Sequence, residues 1–211
     1  MPKAEKDLLG QPPEKVTEMY RAVIDLINEG VDINNMKVAE ITARAGIGKG
    51  TAYEYFSTKE EIITNALFYE MMGHMQVIQE IAYNEQPFEQ KIKTLMDYGV
   101  KHYHKGRTFF QLLKVGLGSY DISDSLTQEF KTATEENICR QFTVFLNMII
   151  EAGRKENIIK ETNKCRIRMV LYSQIVAFIS VLFMQDSGEE AEISLEEIKQ
   201  FIYDSVVKLL G

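Results

Sequence analysis

Apolar residues recur at three- and four-residue spacing through almost the whole of this 211-residue chain, and nowhere do they alternate. Spacing of that kind puts side chains on one face of a helix, whereas a half-buried strand needs a period of two. The expected fold class is therefore all-α. Val16, Met19, Tyr20, Val23, Ile24 and Ile27 form the first stripe, opened by Pro12 and Pro13 and closed at Gly30. A short helix follows with Val38, Ile41, Thr42 and Ala45 on one face, ended by Gly46, and a second short helix covers about 49–56. The pattern then predicts helices over about 58–82, 87–106, 108–116, 123–152 (stopping at Gly153), 164–185, and a last one striped by Ile198, Phe201, Ile202, Val206 and Leu209. Thr58 with Glu61, or Ser57 with Glu60, makes a capping box, as does Ser194 with Glu197.

The composition, 45% hydrophobic and 26% charged, supplies an ordinary globular core. The formal charge of −7 argues against a broadly basic nucleic-acid surface. Residues 1–60 carry 8 basic against 10 acidic side chains. Only the segment 37–59 is locally positive, with Lys37, Arg44, Lys49 and Lys59 against Glu40 and Glu54. Any DNA-binding surface is small and lies there.

Catalysis and metal binding find no support. Cys139 and Cys165 lack metal spacing. Of the histidines, His74, His102 and His104, the last two are two residues apart and do not share a helix face. The motifs H-E-x-x-H and G-x-S-x-G are missing, so no catalytic residue, metal or cofactor is expected. "MPKAEKDLLG" has no apolar run of a signal peptide, and the apolar stretch 169–184 is short for a membrane span. The expectation is a cytoplasmic protein.

"AGIGKGTAYEYF", 45–56, poses the functional question. A phosphate loop of the form G-x-x-x-x-G-K-[ST] fails, because Ala43 stands at its first glycine and Gly50 at its hydroxyl position. A helix-turn-helix fits instead. Its two short helices need a tight turn with glycine. Gly46 takes the left-handed conformation, Ile47 plugs the turn, and the second helix projects toward a major groove. Ala52 and Phe56, four apart, make the core pair of that helix, leaving Tyr53 to face outward.

The run "VAEITARAGIGKGTAYEYFSTKEEII" resembles the DNA-binding signature of TetR-family transcriptional regulators, through I-T-x-x-A-G-I, K-G-T-x-Y-x-Y-F and S-T-K-E-E-I. The strong motif covers about residues 36–63. The resemblance implies a helix-turn-helix domain over 1–58 and a larger helical domain for effector binding and dimerisation over 59–211. It places Lys49, Gly50, Thr51, Tyr53 and Tyr55 on the DNA side, with Lys37 joining them from the basic segment, and makes Lys59 a phosphate contact. Three positions depart from the family pattern. Met36 stands where a threonine usually caps, so Asn35 is expected to cap the second helix. Gly48 replaces a capping serine. Glu54 sits where relatives carry histidine or tyrosine, free either to accept from a cytosine amino group or to point away.

The rest of the chain holds many Met, Phe and Tyr residues. An ordinary core accounts for any one of them. The resemblance implies an effector cavity among Met71, Met75, Tyr98, His102, Phe109, Leu113, Phe142, Phe145, Met148, Tyr172 and Gln174, suited to an apolar or amphipathic ligand. It also implies a homodimer through the last two long helices, with Ile175, Ile179, Leu182, Ile198, Ile202 and Val206 at the interface. The expected function is a ligand-responsive transcriptional regulator, a repressor that binds a pseudo-palindromic double-stranded operator and is released by its effector. A helical apolar-ligand-binding or interaction protein with a degenerate DNA-binding domain is the alternative.

Overall fold

The computed structural model describes residues 12–103, 108, 128–186 and 193–211. Among them are eight helices and no strands: α1 (Glu14–Asn28), α2 (Val38–Arg44), α3 (Lys49–Tyr55), α4 (Lys59–Tyr83), α5 (Phe88–Tyr103), α6 (Gln128–Lys155), α7 (Lys164–Asp186) and α8 (Leu195–Leu210). The all-helical class read from periodicity is what is observed. The helix expected over 108–116 lies outside the described residues, apart from Thr108.

The chain divides into two compact units. One comprises the described residues of Met1–His74 and Lys105–Gln141, the other those of Met75–His104 and Phe142–Gly211. The division falls inside α4 and α6.

In the first unit α1 lays Val16, Met19, Tyr20, Val23 and Ile27 into the core, the stripe its sequence predicts. Met36, Ile41, Ala52, Phe56, Ile62 and Ile63 complete that core. The Tyr20 ring packs against Phe56 at 6.0 Å and Tyr69 at 5.4 Å between centroids. Thr108 is also buried here, and the Oδ1 of Asn28 at the end of α1 accepts from both its N–H and its hydroxyl.

The second unit packs α5, α7 and α8 together around Phe88, Leu146, Ile167, Leu171, Ile202 and Val206. Glu156 accepts from the Phe88 N–H at 2.7 Å, placing a carboxylate at the start of α5, where the helix dipole favours it. Ser194 and Glu197 form the capping box of α8. Lys199 is buried among the Asp97 and Glu196 carboxylates. Burial alone lowers its pKa, but those two hydrogen bonds outweigh it and hold the ammonium above its ordinary range.

One helix end differs from expectation. Gly153 does not stop α6, which runs on to Lys155. Asn157 takes the left-handed conformation instead (φ 57°), and the Ile158 N–H returns to the Gly153 carbonyl at 2.9 Å. Asparagine is the residue other than glycine that reaches this conformation most cheaply. Gly153 is glycine for packing: a Cβ there stands 2.7 Å from Ile159 and 3.1 Å from Phe88.

Candidate nucleic-acid interface

The turn between α2 and α3 is built by backbone hydrogen bonds. Gly46 has φ +67°, its N–H reaches the Ala43 carbonyl at 3.3 Å, and the Ile47 N–H reaches Thr42 at 3.0 Å. This is the double closure that ends a helix through a left-handed glycine. Ile47 is half-buried, with the turn drawn onto the core.

At its other end α2 departs from the expected cap. Lys37, not Asn35, is the N-cap residue, and its N–H donates to Glu40 Oε2 at 2.9 Å. Asn35 instead donates its N–H to the Asp32 carbonyl in the preceding turn. Met36 is fully buried, so the position lacking a hydroxyl serves the core.

Helix α3 turns Ala52 inward against the core and leaves Lys49, Gly50, Tyr53 and Glu54 exposed. Phe56, just past its end, is also buried. Thr51 and Tyr55 are half-buried at its flanks. The Lys49 ammonium stands 6.0 Å from the Tyr53 ring centroid, at the outer limit of a cation–π contact.

Gly48 and Gly50 differ from Gly46 in kind. Neither has a positive φ, and a Cβ at either meets nothing within 4 Å. Glycine inside a helix costs up to about 1 kcal/mol relative to alanine. The fold does not require that cost at Gly50.

The start of α4 is set by Thr58, whose hydroxyl accepts from the Glu61 N–H at 3.1 Å. Glu61 answers by accepting from the Ser57 N–H at 2.7 Å. The pairing is Thr58 with Glu61, of the two the sequence offers. Lys59 donates to the Asn34 carbonyl at 3.0 Å, tying α4 to the turn before α2, with Glu60 3.9 Å away. An ammonium has three donors, so this bond leaves capacity for a phosphate.

A further tie went unread in the sequence. Arg44 clamps Glu29 through both guanidinium nitrogens, at 2.7 and 2.5 Å, joining the ends of α1 and α2. The Arg44 hydrogen bond holds the Glu29 carboxyl below its ordinary range. Fifteen residues separate the two, and no periodicity announces such a pair.

Residues 29–66, which contain α2, the turn, α3 and the start of α4, match the family model "Bacterial regulatory proteins, tetR family". By that match, residues 29–66 are a segment of the TetR-family type.

Solved structures agree at the level of the fold. FadR from Bacillus subtilis in complex with stearoyl-CoA aligns with a TM-score of 0.63 at 16% identity, covering 92% of this chain and 97% of that one. FadR of Bacillus halodurans, a fatty acid degradation regulator, gives 0.65 at 17% identity, with 96% and 97% covered. Reduced NemR of E. coli gives 0.66 at 14%, with 93% and 97% covered. No curated protein sequence matches the chain.

The expected effector residues fall unevenly. Met71 belongs to the first unit and is buried. In the second, Met75, Phe142 and Met148 are buried, and Tyr98, His102, Phe145, Tyr172 and Gln174 are half-buried. Phe142 sits 5.7 Å from both Phe145 and Tyr172, stacked on the latter, and Tyr98 lies 4.3 Å from His102. Phe109 and Leu113 lie outside the described residues. Among the described residues no group of three or more His, Cys, Asp or Glu side chains is placed to hold a metal.

The residues expected at an interface lie mostly on covered faces of α7 and α8. Ile179, Leu182, Ile198, Ile202 and Val206 are buried within the chain's own unit, and Ile175 is half-buried. Periodicity marks an apolar stripe but does not say whether the chain or a partner covers it. The exposed face of α7 is a different one, carrying Met169, Ser173, Val176, Ala177, Ser180 and Met184, and on α8 Phe201 is 69% exposed. Within the chain itself α7 is not buried all round. Its Lys164–Leu182 portion is long and apolar enough to cross a membrane, with 28% of it buried inside the chain.

Proposed function

We propose that this chain is an effector-responsive repressor that binds a two-fold operator as a homodimer. The observation that carries the reading is the exposed Lys49–Gly50–Tyr53 face of α3, inside the segment that matches the family model. Lys49, Gly50 and Thr51 meet base edges, while Lys37, Tyr53, Tyr55 and Lys59 meet the sugar-phosphate backbone. The arrangement of domains we favour is DNA binding over 1–58 and effector binding with dimerisation over 59–211.

The dimer surface we propose is the exposed stripe of α7 from Met169 to Met184, with Phe201 of α8. Apolar residues of this size, lined along one face, bury favourably against a second copy. The effector is amphipathic, with an apolar chain lying against Met75, Phe142, Phe145 and Met148, and with Tyr98, His102, Tyr172 or Gln174 meeting its polar end. Likeness of fold to a regulator crystallised with stearoyl-CoA supports that class of compound as the first to try.

The test has two parts. A gel shift at low salt with the DNA upstream of the chain's own gene is expected to give a discrete complex. Stearoyl-CoA and other amphipathic acyl compounds are then titrated into it. An effector shifts the equilibrium only by its differential affinity, so operator DNA must weaken its binding by the same factor that it weakens the operator's. Absence of any specific shift removes the repressor reading. A specific shift that no amphipathic compound releases removes only the effector class.

A further inference from the structure

Glu54 is the acidic residue that the DNA-facing helix leaves exposed. Of the segment's cations, Arg44 pairs with Glu29, Lys59 donates to the Asn34 carbonyl, and the Lys49 ammonium stands 6.0 Å from the Tyr53 ring. Glu54 shares its face with Gly50, one turn earlier, where nothing fills the space a side chain would take. A negative group held against a polyanion is repelled unless it finds a donor.

A carboxylate only accepts hydrogen bonds. In the major groove guanine offers the N7 and O6 acceptors, and thymine the O4 acceptor. Adenine sets its N6 amino donor beside the N7 acceptor. Cytosine alone presents an amino donor with no acceptor of its own alongside. We propose that Glu54 is a specificity-determining residue that accepts a hydrogen bond from the N4 amino group of one cytosine per half-site. This rests on the DNA-binding reading above. The missing side chain at Gly50 lets the face come close enough for the contact, and the repulsion from phosphates turns into discrimination against the other three bases.

The experiment selects duplexes from a random pool with the full-length wild type, Glu54→Gln and Glu54→Ala, and then measures single-base variants of the selected site by fluorescence anisotropy. An exposed side chain with no fold role leaves the circular dichroism and melting of both variants unchanged. The wild type is expected to prefer cytosine at one position per half-site by about 5- to 150-fold, the range for one good base contact. Glu54→Gln is expected to move that preference to adenine, whose N6 and N7 an amide matches, and to leave the other positions as they were. Glu54→Ala is expected to flatten that position alone. The proposal is overturned if Glu54→Ala keeps the wild-type preference everywhere. It is also overturned if Glu54→Ala tightens binding equally for all sequences, which assigns Glu54 to phosphate repulsion only. A wild type that enriches no sequence overturns the DNA-binding reading itself, and this proposal with it.

Discussion

Asn28, the last residue of α1, accepts through a single oxygen from the Thr108 N–H at 3.1 Å and from the Thr108 hydroxyl at 2.8 Å. Thr108 is 2% exposed, so neither donor has water to fall back on. The pair joins α1 to a residue 80 positions away within the first unit.

Removing Asn28 strands two buried donors. Asn28→Ala is expected to lower stability by about 1–3 kcal/mol, the usual cost of an unsatisfied buried group. Thr108→Val removes the hydroxyl and keeps the shape, so it costs less. In a double-mutant cycle by urea unfolding, the two losses are expected to fall short of adding, as they do for residues in contact. Strict additivity contradicts the contact.

Two glycines are expected to respond in opposite directions. Gly153→Ala places a Cβ 2.7 Å from Ile159 and lowers the melting temperature, since overpacking costs about 1–3 kcal/mol. Gly50→Ala meets open space, gains helix propensity of up to about 1 kcal/mol and raises the melting temperature, while weakening DNA binding. Thermal unfolding paired with an operator titration separates the two. Unchanged DNA affinity in Gly50→Ala contradicts a close approach there.

Lys59→Ala is expected to weaken binding to all DNA sequences alike and to lower the slope of log affinity against log salt by about 1. Its bond to Asn34 is a separate matter, read by melting temperature. A variant with unchanged salt slope leaves Lys59 as a tether of α4 and nothing more.

Val206→Glu and Val176→Glu distinguish the two faces of the α7–α8 pair. Val206 is 2% exposed, and a charge there lacks a partner, so the second unit is expected to unfold. Val176 is 47% exposed, and its variant is expected to stay folded and sediment as a monomer. A folded dimer from Val176→Glu removes that face as the interface.

Stability is expected to fall in acid. The Glu29 carboxyl is held low by Arg44, Glu196 by Lys199, and Glu197 by the Ser194 backbone N–H and then its hydroxyl. A lowered folded pKa stabilises above the unfolded value, about 4.3 for glutamate, and the contribution disappears as pH falls through the folded one. Lys199 is shifted upward, so its contribution holds below about pH 10.4 and is lost as pH rises through its folded value. Urea midpoints from pH 3 to 7, wild type against Glu197→Gln, check the acid limb: the variant is expected to show a shallower fall.

Helices were the most legible part of the sequence. The stripe of α1 and the inward pair Ala52 and Phe56 follow from a 3.6-residue period, and the Ser194–Glu197 box from local capping chemistry. Gly46 was legible because a left-handed turn has few other solutions. What escaped was non-local. Glycine reads as a helix stop in a sequence, yet Gly153 answers to Ile159 and Phe88, and the stop belongs to Asn157. An apolar stripe looks the same whether it meets the chain or a partner, and Ile202 and Val206 are buried within the chain itself. The Glu29–Arg44 clamp and the Lys59–Asn34 bond span 15 and 25 residues, beyond any local pattern.

The central claim is that the α3 faces of two copies read one operator. DNase footprinting of the selected operator, joined to an anisotropy titration at 50 and 200 mM salt, tests it most directly. The account predicts two protected half-sites centred about one helical turn, ~34 Å, apart, two chains per duplex, and an affinity that drops steeply with salt. Uniform binding to unrelated duplexes at about 10⁻⁴–10⁻⁶ M, with no footprint, is non-specific attraction to phosphate and contradicts the account.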